Sequence, residues 1–266
     1  MVHDLIITGG CVVTPGSVAV MDIAVSDGRI AALGAGLAAR ERIDATGLII
    51  TPGGVDPHAH IEQMSGMGLF NADTFETATR SAAMGGTTSV ISFAAQVKGQ
   101  RLADAMADYA ARAARGAAID HAFHILISDP DVPDFEDDLR ALIKAGHRSI
   151  KLFTTYNIGL SDAAILRVLR IAGSEGALTC IHAENDAIIA DARAGLLAQG
   201  RTRPIDHAAS RPRAAEIEAV SRMCHLAEIA RAPVMIFHVS TREAIAEIAA
   251  ARARGAPIWA ETCPHY

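Results

Sequence analysis

Four histidines and one lysine stand at spacings that can do chemistry. In Asp56-Pro57-His58-Ala59-His60 two imidazoles lie at i and i+2. On an extended strand such residues point to one face, so both rings can reach one cation. Ser149-Ile150-Lys151-Leu152-Phe153 sets a lysine inside an otherwise apolar run, and His182 and His238 each follow a short apolar run of their own. A buried lysine is costly unless it is paired or neutralised. Desolvation lowers its pKa, and the neutral amine can take up CO2 to become a carbamate, an oxygen ligand able to bridge two divalent ions. With His58 and His60 on one ion and His182 and His238 on the other, the residues make a two-metal centre. Such a pair brings a bridging water to a pKa near 7 and polarises a carbonyl, which is the chemistry of amide hydrolysis. Singly, each residue has a plainer reading. A lone strand-end histidine is more often a hydrogen-bonded core residue, and a His-x-His pair arises readily in a chain with 11 histidines. Jointly, at the ends of four different strands, chance explains them poorly.

The elements that must position them follow from periodicity. Short β-branched runs at Asp4–Val13, Val18–Val25 and Arg29–Leu33, broken by Gly-Gly and Asp27-Gly28, predict a small antiparallel sheet. After Gly47 near-continuous apolar strands are expected at Leu48–Asp56, Thr87–Phe93, Ala122–Ser128, Ser149–Phe153, Ala177–Ala183, Pro233–Ser240 and Pro257–Thr262. Helical patterns intervene, among them Asp73–Met84, Phe135–Ala145, Asp162–Gly173 and Ala214–Ala230. That alternation means a parallel sheet covered by helices. A doubly wound sheet fits the count, but polar residues gather at the C-terminal strand ends, as on the catalytic rim of a (β/α)8 barrel. The expected fold is therefore α/β: an N-terminal β-sandwich part over residues 1–50, and a TIM-like barrel over 51–266 with seven of its eight strands. The chain stops just after the seventh strand, which reads as a fragment or an early end to the reading frame.

Composition sets the outer limits. The chain has 266 residues, 50% hydrophobic and 20% charged, so a large core is available and disorder is excluded. A net charge of −6 gives no footprint for nucleic acid. No apolar run reaches the ~18–20 residues of a membrane span, and the first residues lack a signal-peptide layout. Four cysteines with no CxxC spacing make no disulfide framework. A soluble, cytoplasmic protein is the expectation.

Along its whole length the chain resembles the amidohydrolase superfamily, and within it the dihydropyrimidinase/hydantoinase group of cyclic amidases. The likeness is carried by DLIITGG, TPGGVDPHAH, NADTFETATRSAAMGGTTSVISF, SIKLFTTY, CIHAEN, HAASRPRAAEIEAV, FHVST and ETCPHY. It implies two divalent ions, zinc by donor type, held by His58, His60, carboxylated Lys151, His182 and His238. Cobalt or manganese suits the same donors. It further implies that Tyr156 stabilises the oxyanion formed when a metal-bridging hydroxide attacks the ring carbonyl; without the resemblance, Tyr156 reads as a rim aromatic. The family's general-base aspartate follows an eighth strand and so lies outside this sequence. The 266 residues alone are accordingly expected to be inactive or nearly so, and a homo-oligomer, often a tetramer, is implied.

Glu62 stands where dihydroorotase-like and allantoinase-like relatives carry an arginine, in dihydroorotases the reader of a substrate carboxylate. A carboxylate there argues for an uncharged cyclic imide or ureide such as a hydantoin or dihydropyrimidine. It weighs against an allantoinase-like or other cyclic ureide hydrolase. A non-enzymatic dihydropyrimidinase-like scaffold is disfavoured because all five expected ligands and Tyr156 are retained. Gln63–Phe70, rich in Met and Gly, reads equally as a flexible rim loop and as a wall for the ring's exocyclic group. Other features read as structural: His121 and His124 as packing, Gly85-Gly86 as a helix-to-strand turn, Cys180 and Cys263 as small buried residues, and Asp129–Asp138 as a solvated helix entry.

Overall fold

Period-two burial governs the first strand. Strand β1 (His3–Thr14) buries Ile6, Thr8, Gly10 and Val12 in alternation. It pairs antiparallel with β2 (Ser17–Ser26), which turns back into β3 (Arg29–Gly34). Asp27 and Gly28 make that turn with φ of 51° and 70°, the left-handed pair that an Asp-Gly hairpin supplies. Two further strands, β4 (Ala39–Asp44) and β5 (Ile49–Ile50), join β1 in parallel, so the sheet is mixed where the sequence read antiparallel. Ile49 and Ile50, read above as the start of the first barrel strand, pair instead with Cys11 and Val12. Pro52, with no N–H to donate, and Gly53 interrupt that run, and a new strand begins at Gly54.

In this computed structural model residues 2–64 and 68–266 are described. The chain forms two compact units, Met1–Gly54 and Val55–Tyr266. The second unit alternates strand and helix, except for three successive helices between its fifth and sixth strands: β6 (Gly54–Ala59), α1 (Phe75–Met84), β7 (Thr87–Ala95), α2 (Leu102–Ala114), β8 (Asp120–Leu126), α3 (Phe135–Lys144) and β9 (Ser149–Phe153). It continues with α4 (Asp162–Ser174), β10 (Leu178–His182), α5 (Asp186–Ala198), α6 (Asp206–Ala209), α7 (Arg213–Ala230), β11 (Val234–Ile236), α8 (Arg242–Ala253) and β12 (Ile258–Ala260). Each of the seven strands hydrogen-bonds to the next in sequence order. A doubly wound sheet reverses order at a switch point. The unbroken order, with a hydrogen bond between His58 on β6 and Glu261 just after β12, shows the sheet curled like a barrel wall.

Inward and outward residues then alternate. On β9, Ile150 and Leu152 face the helices, whereas Phe153 joins Phe93, Leu126, Cys180 and Phe237 in an inner cluster. Helices cover the outside with apolar stripes. Helix α4 is capped by the Ser161 side chain, which accepts from the N–H of Ala164, and buries Ile165, Val168, Leu169 and Ala172 at helical spacing. Gly86, with φ of 87°, makes the tight turn from α1 into β7. Among the described residues no helix is long and apolar enough to cross a membrane.

Candidate active site at the strand ends

Lys151 is the centre of the arrangement. It sits mid-strand on β9, fully buried, and its Nζ has no hydrogen-bond partner. The rings of Phe237, Phe153 and Phe93 surround the nitrogen at 4.2, 4.7 and 5.9 Å from their centroids. Burial pushes the amine down to about 7, so near neutrality much of it is uncharged. The aromatic faces offset little of the cost of a buried cation, and the orphaned nitrogen is the strongest chemical irregularity in the barrel.

The four histidines gather on the same side. Ring centroids are separated by 5.5 Å for His58 and His60, 5.4 Å for His58 and His238, and 4.6 Å for His182 and His238. Three rings are tied through one nitrogen each. His58 Nδ1 donates to Glu261 Oε2 (2.8 Å), His60 Nδ1 to Gln63 Oε1 (2.6 Å) and His182 Nε2 to Glu184 Oε2 (2.6 Å). Because a carboxylate or amide oxygen only accepts, these bonds fix the tautomer and leave the opposite nitrogen with a free lone pair. Burial holds His60 and His182 below the usual imidazole range and takes His238 down to about 3. Neutral imidazoles are the form that binds metal.

Backbone strain falls at the same place. His238 and Tyr156 take left-handed φ of 40° and 68°, costly for non-glycine residues. Glu261 accepts from the His238 N–H (3.4 Å), and its carbonyl accepts from Val239 (2.8 Å). The Asp186 carboxylate accepts from the Tyr156 N–H (3.3 Å) and from the Thr155 hydroxyl (2.6 Å). Tyr156 thus stands half-exposed with its ring 5.2 Å from that of His182, and burial pushes its phenol up.

Two cavities open on the centre. One of about 700 Å³ reaches His60 and is walled by Gln63, Met64, Phe70, Val97 and Ile158. The other, about 560 Å³, holds Tyr156, His182 and His238. Part of the predicted rim loop Gln63–Phe70, residues 65–67, lies outside the described residues; Met64 and Phe70 do face the first cavity.

Whether the donors suit a divalent pair turns on Lys151. Among the described residues no group of three or more His, Cys, Asp or Glu side chains is by itself spaced to hold a metal. The predicted set differs in having the lysine as its fifth member, whose unmodified nitrogen brings no oxygen ligand. The orphaned Nζ and the three imidazoles with a free nitrogen fit a group that is completed only when that amine is modified.

Glu62 does not do what its position suggested. Its carboxylate accepts from Arg115 (2.8 Å) and from the Phe75 N–H at the start of α1 (3.1 Å), and it lines neither cavity. That carboxylate is thus paired with a cation and turned toward α1, and its position alone does not decide the charge of a substrate. His124 packs inside the sheet, Nε2 donating to the Pro57 carbonyl (2.8 Å), and burial takes it down to about 4. Cys180 is buried and pushed up to about 11, an unreactive thiol, whereas Cys263 is only half-buried. Asp138 is not a solvated residue: it is buried and takes two bonds from Arg101, which hold it below the usual carboxylate range. The positioning carboxylates Glu184 and Glu261 and the amide of Gln63 had no assigned role in the sequence. An acid two residues past a strand-end histidine was the available signal for Glu184; Glu261 meets His58 from 203 residues away and left none.

Residues 49–264 match the amidohydrolase family. The chain is 40% identical to a D-hydantoinase of Ralstonia pickettii and to one of Rhizobium radiobacter, over 99% of its own length and 58% of theirs. Among solved structures it is similar to a D-hydantoinase of a Bacillus species, with TM-score 0.93 and 38% identity over 99% of this chain and 58% of that one. It also resembles an L-hydantoinase of Arthrobacter aurescens, with TM-score 0.86 and 27% identity over 99% of this chain and 59% of that one. The chain thus spans a little under three-fifths of the length of the relatives it matches.

Proposed function

The chain belongs to the amidohydrolase family, and from that premise we propose that the protein opens the ring of a cyclic ureide or imide, a hydantoin or dihydropyrimidine, by hydrolysing its amide bond. The observation that carries this reading is the unpartnered, fully buried Nζ of Lys151 beside four converging histidines. The choice of an uncharged ring is supported by the hydantoinase relatives.

The ions would be held by His58, His60, His182, His238 and the carbamate of Lys151. When bound, two divalent ions, zinc by donor type, supply an activated water near neutral pH and polarise the scissile carbonyl. The protein's own part begins at Lys151. Its neutral amine attacks CO2, an N–C bond forms, one C=O electron pair moves onto oxygen, and one proton leaves the nitrogen. The phenylalanine wall keeps that amine dry and therefore neutral. Glu261, Gln63 and Glu184 hold the imidazoles in the binding tautomer. Tyr156, its N–H held by Asp186, keeps its ring beside that of His182, and its phenol is the group that would donate to an oxygen gaining negative charge. The cavity walled by Met64 and Phe70 receives the ring's substituent.

The test is metal content and turnover on one preparation. Protein extended to the length of its relatives, expressed with bicarbonate and zinc, should carry about two ions per chain and open hydantoin or dihydrouracil in an assay for the ureido acid. Folded protein that takes up no stoichiometric metal would contradict the reading and favour a non-enzymatic scaffold.

A further inference from the structure

Resting on the reading above, we propose that Arg211 is a positioning residue that couples the His182–Glu184 pair to Tyr156, joining the holding of the second metal to the stabilisation of the oxyanion. The residue lies just before α7 and lines the second cavity together with Tyr156, His182 and His238. Its Nη1 donates to Glu184 Oε2, the same oxygen that accepts from His182 Nε2 at 2.6 Å. Its guanidinium lies over the Tyr156 ring, 4.9 Å from the centroid. One planar group therefore holds a carboxylate with an N–H and a phenol ring with its face, which a lysine cannot do at once.

The surroundings make the arrangement rigid. Arg211, Glu184 and His182 side chains are only 21, 17 and 13% exposed. The Glu184 main chain is clamped to the end of β9, its N–H donating to Thr154 Oγ1 (2.9 Å) and its carbonyl accepting from the same hydroxyl (2.8 Å). The Asn185 N–H donates to the Ala215 carbonyl (2.9 Å), and its amide to Glu218 (2.6 Å), so the start of α7 cannot drift from the end of β10. Without Arg211, Glu184 keeps one partner rather than two on Oε2, and Tyr156 loses the group lying on its outer face.

The test uses the same extended protein: zinc affinity, read by competition with a chromophoric chelator in bicarbonate buffer, together with kcat and KM for ring opening. Arg211→Gln should weaken zinc binding about tenfold, as loss of an outer partner does. Arg211→Gln combined with Glu184→Gln should be no weaker than Glu184→Gln alone, because both act on one bond. Arg211→Lys keeps the ion pair but not the planar face. It should restore zinc affinity while kcat stays about tenfold or more below wild type, with KM little changed. Wild-type zinc affinity in Arg211→Gln, additive losses in the double variant, or full recovery of kcat in Arg211→Lys would overturn the proposal. Should Arg211→Gln not fold, the split between affinity and kcat in Arg211→Lys decides. A wild-type protein that binds zinc and opens no ring would refute the proposed reaction, and the affinity cycle would still decide the role of Arg211.

Discussion

The two histidine pairs reach the same centre by different routes. His58 and His60 leave one strand end together, and each is tied through Nδ1, to Glu261 and Gln63 respectively. His182 and His238 leave two strands; His182 is tied through Nε2, while among the described residues no other side chain is hydrogen-bonded to the His238 ring, whose backbone takes a left-handed φ of 40°. A pair built on strand periodicity needs only side-chain ties. A pair built across strands depends on its neighbours, and Lys151 with Glu261 is what the two pairs share. Glu261 accepts from the His58 ring and from the His238 main chain.

The largest effect is expected where both pairs are broken at once. Lys151→Ala removes the shared member, and ring opening should fall at least a thousandfold, about 4 kcal/mol of barrier, with metal content well below that of wild type. Next comes Glu261→Gln. Because it touches both pairs, zinc affinity should fall toward the upper end of the roughly 10–100-fold expected for an outer partner, and Glu184→Gln, which touches one, toward the lower end. Equal losses would show that the pairs are not held differently.

The lysine also gives a pH signature. Its folded pKa, about 7, lies below the ordinary lysine value of 10.5, so between those values the unfolded chain holds the extra proton. Stability must then rise with pH across that window, and the contribution is least below pH 7, where the buried amine is protonated. Denaturant midpoints of metal-free protein in CO2-free buffer should climb from pH 7 to 10 more steeply for wild type than for Lys151→Met. Matching slopes would contradict a desolvated amine. The smallest effect is expected at Glu62→Gln. Its ion pair with a largely exposed Arg115 is worth under about 1 kcal/mol. Preference between neutral and carboxylate-bearing substrates should not move, as measured by the ratio of kcat/KM values.

The asymmetry between the pairs also explains what was legible in the sequence. A spacing of two singles out His58 and His60 as candidates, and improbability in an apolar strand singles out Lys151. The strand-helix alternation gave the parallel sheet, and the strand-end placement of polar residues gave the curled, rather than doubly wound, arrangement. Strand limits failed at Ile49 and Ile50, where an apolar run suited two sheets and only the Pro52-Gly53 break could separate them. Glu62 failed because residue type at a position says nothing of side-chain direction; with φ of 49° its carboxylate turns to α1 and Arg115. Glu261 and Arg211 were not legible: Glu261 meets His58 only when the sheet curls, and Arg211 meets Glu184 only once the chain between them has folded back.

The central claim is that the buried Lys151 amine is neutral so that it can be carboxylated. Protein equilibrated with ¹³C-labelled bicarbonate and zinc, observed by carbon NMR, tests it directly. A carboxylated lysine gives one carbamate resonance that is absent from Lys151→Ala and lost on acidification. A folded, zinc-loaded protein with no such resonance would contradict it.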